Sequence, residues 1–155
     1  MVIGGGLLGL EAARGLQVQD CEVTVVHLMD TLMERQLDET GGNYLATKMN
    51  RLGATVLWGL STTAILGNGK VEGVQFKGGG SIPEDLVVIA AGIRPSVDLG
   101  HKAGLETKRG IVVNDYMETS HPDIFAVGEC VQHKGVCYGL VAPLLEQGKV
   151  LASSP

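Results

Sequence analysis

The segment Gly4-Gly5-Gly6-Leu7-Leu8-Gly9 constrains this chain more than any other. Gly4, Gly6 and Gly9 fit the spacing G-x-G-x-x-G. Apolar Met1-Val2-Ile3 precedes it and reads as a strand. Behind it Leu8, Ala12, Ala13 and Leu16 recur at three- and four-residue steps, the spacing of a helix. In a strand–turn–helix corner of this kind the first glycine permits the bend. The second leaves the backbone open to a phosphate, and the third lets helix and strand pack closely. The helix N-terminus adds unpaired N–H groups and the positive end of its dipole, so Gly4, Gly6, Leu7, Leu8 and Gly9 are candidates to hold a dinucleotide pyrophosphate.

A chain with 23 glycines can meet this spacing by accident, as a merely structural turn. The surroundings favour the nucleotide reading, because a second apolar run, Glu22-Val23-Thr24-Val25-Val26, follows within twenty residues of the turn. Asp38 is a plausible N-cap for a helix over 39–52, with Leu45, Met49 and Leu52 on one face and Gly53 as its stop. Ala54-Thr55-Val56-Leu57-Trp58 reads as a third strand. Strand–helix–strand–helix–strand is a parallel mononucleotide-binding half, and the composition, 45% hydrophobic and 4% aromatic, suits strands buried on both faces.

The alternation then changes. Segments 61–66 and 70–77 flank Asn68-Gly69, a hairpin signal, and 77–81 makes another turn, so short antiparallel strands interrupt the parallel pattern. Asp85 to Ala90 returns as a buried strand. Beyond 96 the chain is less regular, with short strands at 111–113 and 124–127 and a final helix over 140–152, Pro143 in its first turn. The fold class is therefore α/β: a Rossmann-like, doubly wound parallel sheet with an antiparallel β insertion.

A net charge of −5 without a basic run argues against nucleic acid as a partner. No apolar stretch approaches the roughly 20 residues that cross a bilayer, and no basic leader precedes the first strand, so a cytoplasmic location is expected. Cys21, Cys130 and Cys137 are odd in number and lack C-x-x-C spacing. Neither a metal site nor a disulfide framework is expected, and Cys130 and Cys137 read as ordinary half-buried thiols sooner than as a redox pair.

GGGLLGLE, the interrupting antiparallel strands, AAGIRP and TSHPDIFAVGE, in that order, resemble the FAD- and NAD(P)-dependent pyridine-nucleotide oxidoreductases. Within them, VTVVHLMDTLMERQLD and FAVGECVQHKGVCYGLVAPLLEQ are similar to the large subunits of assimilatory NAD(P)H nitrite reductases. The resemblance implies an NAD(P)-binding domain over 1–95 and an incomplete, C-terminal part of an FAD-binding domain over 96–155. It also implies that the chain is a piece of a longer reductase, cut near Ala152-Ser153-Ser154-Pro155. The remaining FAD domain, an iron–sulfur centre and sirohaem are then expected only in segments outside it.

The same resemblance assigns further residues. Gly92 would approach the dinucleotide through its backbone, with Ala91 in place of the usual Thr. Glu11 would point to the flavin side, or would simply complement the helix dipole. Gly128 and Glu129 would meet the FAD, although Glu129 replaces the family's Asp. The N–H groups of Leu140, Val141 and Ala142 would face the flavin. His27, at the end of the second strand, would touch the adenosine end of the nucleotide or else face solvent. Being neither an acid nor an Arg, it leaves NADH against NADPH open, as do Asp30, Glu34 and Arg35; Gly9 leans slightly to NAD. No side chain is assigned to catalysis, since hydride would pass from nicotinamide to flavin with the protein supplying position and electrostatics. The whole would be an NAD(P)H-dependent flavoprotein reductase. The alternatives are a rubredoxin or ferredoxin reductase, an NADH oxidase, or a non-catalytic nucleotide-binding module. An incomplete FAD domain should also lack strand partners and leave apolar surface exposed, so 96–155 is expected to be either loosely ordered or covered by a second copy of the chain in a homo-oligomer.

Overall fold

The structure is a computed structural model that describes residues 1–153. Ser154 and Pro155, the last residues of the segment read above as a cut, lie outside the described residues. The chain forms two compact units, Met1–Gly92 and Ile93–Pro155.

The first unit contains β1 (Val2–Ile3), α1 (Leu7–Gln17), β2 (Val23–Val26), α2 (Glu39–Arg51) and β3 (Ala54–Leu57). It continues with β4 (Thr62–Leu66), β5 (Gly73–Phe76), β6 (Ser81–Ile82) and β7 (Val88–Ile89). Strands β3-β2-β1-β7 form one parallel sheet in that order. The chain builds outward from β1 through β2 to β3, then returns to the other side of β1, so the strand order reverses between β1 and β7.

The register explains why the strands are mostly apolar. Val2, Val25, Val56 and Val88 form one cross-strand row, facing Ala13 of α1 and Ala46 and Met49 of α2. One residue further on, Ile3, Val26 and Leu57 form the opposite row, packed with Val74 and Phe76 of β5 and Ile82 of β6. Helices thus cover one face and the antiparallel sheet β4-β5-β6 covers the other. The N-cap of α2 is Asp38, whose side chain accepts from the Gly41 N–H at 2.8 Å. Leu52, expected on the buried face of that helix, is instead its C-cap and 40% exposed. Gly42 takes the inward place, where a Cβ would come within 2.8 Å of the Leu32 carbonyl oxygen.

The second unit contains α3 (Asp98–Lys102), β8 (Ile111–Val113), β9 (Val131–His133), β10 (Val136–Cys137) and α4 (Val141–Ser153). Residues 124–127, read above as a strand, make only a single bridge, Glu118 to Phe125. The pairing strand is β9 instead, parallel to β8 and antiparallel to β10. The β9–β10 loop is Lys134-Gly135 with φ of 47° and 85°, both left-handed as a two-residue hairpin requires. A small core of Val113, Met117 and Val131 closes on Leu151 of α4. Leu99, Val141 and Leu145 remain 84%, 72% and 62% exposed. Among the described residues no helix is long and apolar enough to cross a membrane.

The hairpin tip is tied down by charge. Asp115 Oδ1 meets Lys134 Nζ at 2.7 Å and His133 Nε2 at 2.6 Å. Hydrogen bonding from Lys134, then from His133, lowers the Asp115 pKa from the ordinary 3.8. Because the folded value is the lower one, the contribution to stability is present above the unfolded value and is lost as pH falls through the folded value. A carboxyl NMR titration should show Asp115 titrating below 3.8; Lys134→Ala should move it back upward.

Candidate functional site

The glycine turn sits at the carboxyl end of β1, next to the point where strand order reverses, which is where open α/β sheets bind ligands. Gly4 has φ of 120°, and a Cβ there would overlap the Ala90 carbonyl at the end of β7. A Cβ on Gly9 would overlap the Gly4 carbonyl oxygen. Strand, turn, helix and neighbouring strand are therefore in backbone contact. Gly6 differs: nothing lies within 4 Å of where its Cβ would be. It is also the N-cap of α1 and supplies no side-chain cap, so the first N–H groups of the helix have no partner within it. Gly6, the open glycine of this turn, lies where an anion would meet those donors.

The middle glycine has its own attachments. Gly5 N–H donates to His27 Nδ1 at 3.0 Å, and Gly5 carbonyl accepts from Met33 N–H at 3.0 Å. His27 is not a solvent-facing strand end; it is 8% exposed, with its ring beneath the turn. Since Nδ1 accepts, the proton sits on Nε2, which donates to Glu34 Oε2 at 3.1 Å. His27 is therefore neutral here, and the pair is a hydrogen bond. Fully buried Leu32 packs under Gly5, and Met33 takes a φ of 57° to turn the loop back onto the glycines. Nothing local in the sequence announces this clamp, which joins residues 22 positions apart.

The other expected residues fall in two places. Leu7 and Leu8, 42% and 68% exposed, open α1, and Glu11 is exposed one turn further on. Gly92, with φ of 96° and open space at its Cβ position, follows β7 on the same edge as the glycine turn. Gly128 and Glu129 belong to the second unit. Gly128 has φ of 104° and open space beside it, and Glu129 is exposed. The Gly128 N–H donates to Gln147 Oε1 at 2.9 Å. Gln147 is a buried residue of α4 that composition and spacing do not single out. Cys21, Cys130 and Cys137 are free, and among the described residues no cluster could hold a metal ion.

The model of the pyridine nucleotide-disulphide oxidoreductases matches residues 1–147. The chain belongs to that family. It is 57% identical over 151 residues to the NAD(P)H nitrite reductase of Bacillus subtilis (strain 168), covering 97% of this chain and 19% of that protein. It is 51% identical over 152 residues to the assimilatory nitrate reductase electron transfer subunit of the same organism, covering 98% and 20%. An FAD-dependent pyridine nucleotide-disulphide oxidoreductase from Desulfovibrio vulgaris superposes with a TM-score of 0.89 at 33% identity, covering 98% of this chain and 41% of that one. The chain thus spans about a fifth of the length of these curated relatives.

The glycines separate by what surrounds them. Gly9→Ala forces backbone apart and should destabilise the first unit by about 1–3 kcal/mol, read by denaturant unfolding. Gly6→Ala meets open space and should leave the midpoint nearly unchanged. Gln147→Ala leaves the Gly128 N–H without its acceptor and should cost about 1–3 kcal/mol, with faster hydrogen exchange at that amide.

Proposed function

We propose that residues 1–95 are the NAD(P)-binding domain of a cytoplasmic flavoprotein reductase, a nitrite reductase large subunit, and that 96–155 are the C-terminal part of its FAD-binding domain. The observation that carries this reading is the open Gly6 at an uncapped helix N-terminus on the switch-point edge of a parallel sheet. The 57% identity to a nitrite reductase supports the choice of enzyme.

The residues present fit a dinucleotide. A Cβ at Gly6 would fill the cradle that the turn leaves open. The N–H groups of Leu7, Leu8 and Gly9 would hold the pyrophosphate through hydrogen bonds and the helix dipole, with no side-chain charge. Gly92 would let the nucleotide pass close to the end of β7. In the second unit the open, left-handed Gly128, held by Gln147, and the exposed Glu129 would meet the polar linker of FAD. When bound, NAD(P)H supplies the hydride and FAD accepts it. The chain's own residues bind and orient, and iron–sulfur and sirohaem chemistry would belong to segments outside this sequence.

A second reading is supported by the 51% identity to an electron transfer subunit of nitrate reductase: the same domain feeding electrons to a different acceptor. Both readings require nucleotide binding. Calorimetry of the chain with NADH and with NADPH should show binding to at least one, weakened about tenfold or more, equivalent to 1.4 kcal/mol, by Gly6→Ala. No heat with either nucleotide at millimolar concentration would contradict the proposal. The chain alone should reduce no nitrite.

A further inference from the structure

The end of β2 lacks the acidic residue that would accept from the adenosine ribose, but the structure brings one back. His27 occupies that position, buried, with Nδ1 bonded to Gly5 N–H. Its other nitrogen, Nε2, reaches Glu34 Oε2 at 3.1 Å. Glu34 follows Met33, whose N–H is fixed to the Gly5 carbonyl, so its backbone is anchored to the glycine turn as well. The Glu34 side chain is 37% exposed, and only Oε2 is engaged by His27. A carboxylate is thereby held beside the phosphate-binding turn, at the edge of β2, with one oxygen free.

The geometry points to Glu34 as the residue that selects the nucleotide, with His27 as its positioning residue. This rests on the dinucleotide reading above. With a pyrophosphate on the α1 N-terminus, the adenosine ribose lies beyond the end of β2. There the free oxygen of Glu34 accepts from ribose hydroxyls. A 2′-phosphate in the same place meets a like charge. The opposing cation is Arg35, exposed and next in sequence. The His27 hydrogen bond fixes Glu34 but does not fix Arg35. The nucleotide preferred is therefore the one without a 2′-phosphate, NADH.

Calorimetry of the whole chain with NADH and with NADPH, on the native sequence and on Glu34→Gln, Arg35→Gln and His27→Asn, tests this. Native protein should bind NADH at least about tenfold more tightly than NADPH. Glu34→Gln should narrow that ratio by weakening NADH and strengthening NADPH. His27→Asn keeps an acceptor for Gly5 N–H, but its shorter amide does not reach Glu34 as the ring Nε2 does. It should narrow the ratio too, whereas a structural loss alone would weaken both nucleotides alike. Equal affinities in the native chain, an unchanged ratio in Glu34→Gln, or tighter NADPH binding that Arg35→Gln abolishes would each overturn the assignment while leaving dinucleotide binding intact. Binding of neither nucleotide would overturn the proposed function and this inference together.

Discussion

Close approach between Gly9 and the Gly4 carbonyl is the contact on which the first unit depends. It can exist only without a Cβ at the third glycine, and it fixes the angle at which α1 leaves β1. That angle places the N-terminus of α1 over the carboxyl edge of the sheet. It also brings Ala90, at the end of β7, against both glycines, so the strand arriving last in sequence is locked to the turn formed first. The open space at Gly6 is the complement of this crowding: the backbone is pinned on either side of the one glycine of the turn that stays accessible.

The layers around the sheet serve the same end. A row of valines meets the helices and the row of Ile3, Val26 and Leu57 meets the antiparallel sheet, so the sheet is covered on both faces and its carboxyl edge is where the glycine turn, His27 and Gly92 are found. The small residues Gly42 and Ala46 let α2 lie close to the loop that carries Leu32. That loop presses on Gly5 from below. Its position is thus set by helix packing, and through Met33 and His27 the packing is transmitted to the turn. The second unit repeats the device on a smaller scale, with Gln147 on a helix holding the backbone at Gly128.

Much of this is legible in the sequence because it rests on local chemistry. The glycine spacing, the Asp38 cap and the runs of β-branched residues each act within a few positions, and they locate β1, α1, β2, α2 and β3. The interrupting antiparallel strands are announced by Asn68-Gly69. What the sequence conceals depends on distance. Ile124 to Val127 has strand-forming residues but no partner strand, while Val131 to His133 pairs with β8 on the strength of contacts 20 residues apart. His27 reads as a strand end facing nucleotide or water, and only the fold turns its ring inward to Gly5. Gln147 reads as one more polar helix residue, and only its burial against Gly128 gives it a role.

If the proposed function holds, backbone amides at the first strand–helix corner grip the anionic linker of a dinucleotide. Amide chemical-shift mapping during titration of the chain with NADH reads this residue by residue. The largest shifts should fall at Gly6, Leu7, Leu8 and Gly9, with a second group at Ala91 and Gly92. Shifts centred instead on the β4–β5 hairpin, or none at saturating nucleotide, would contradict it.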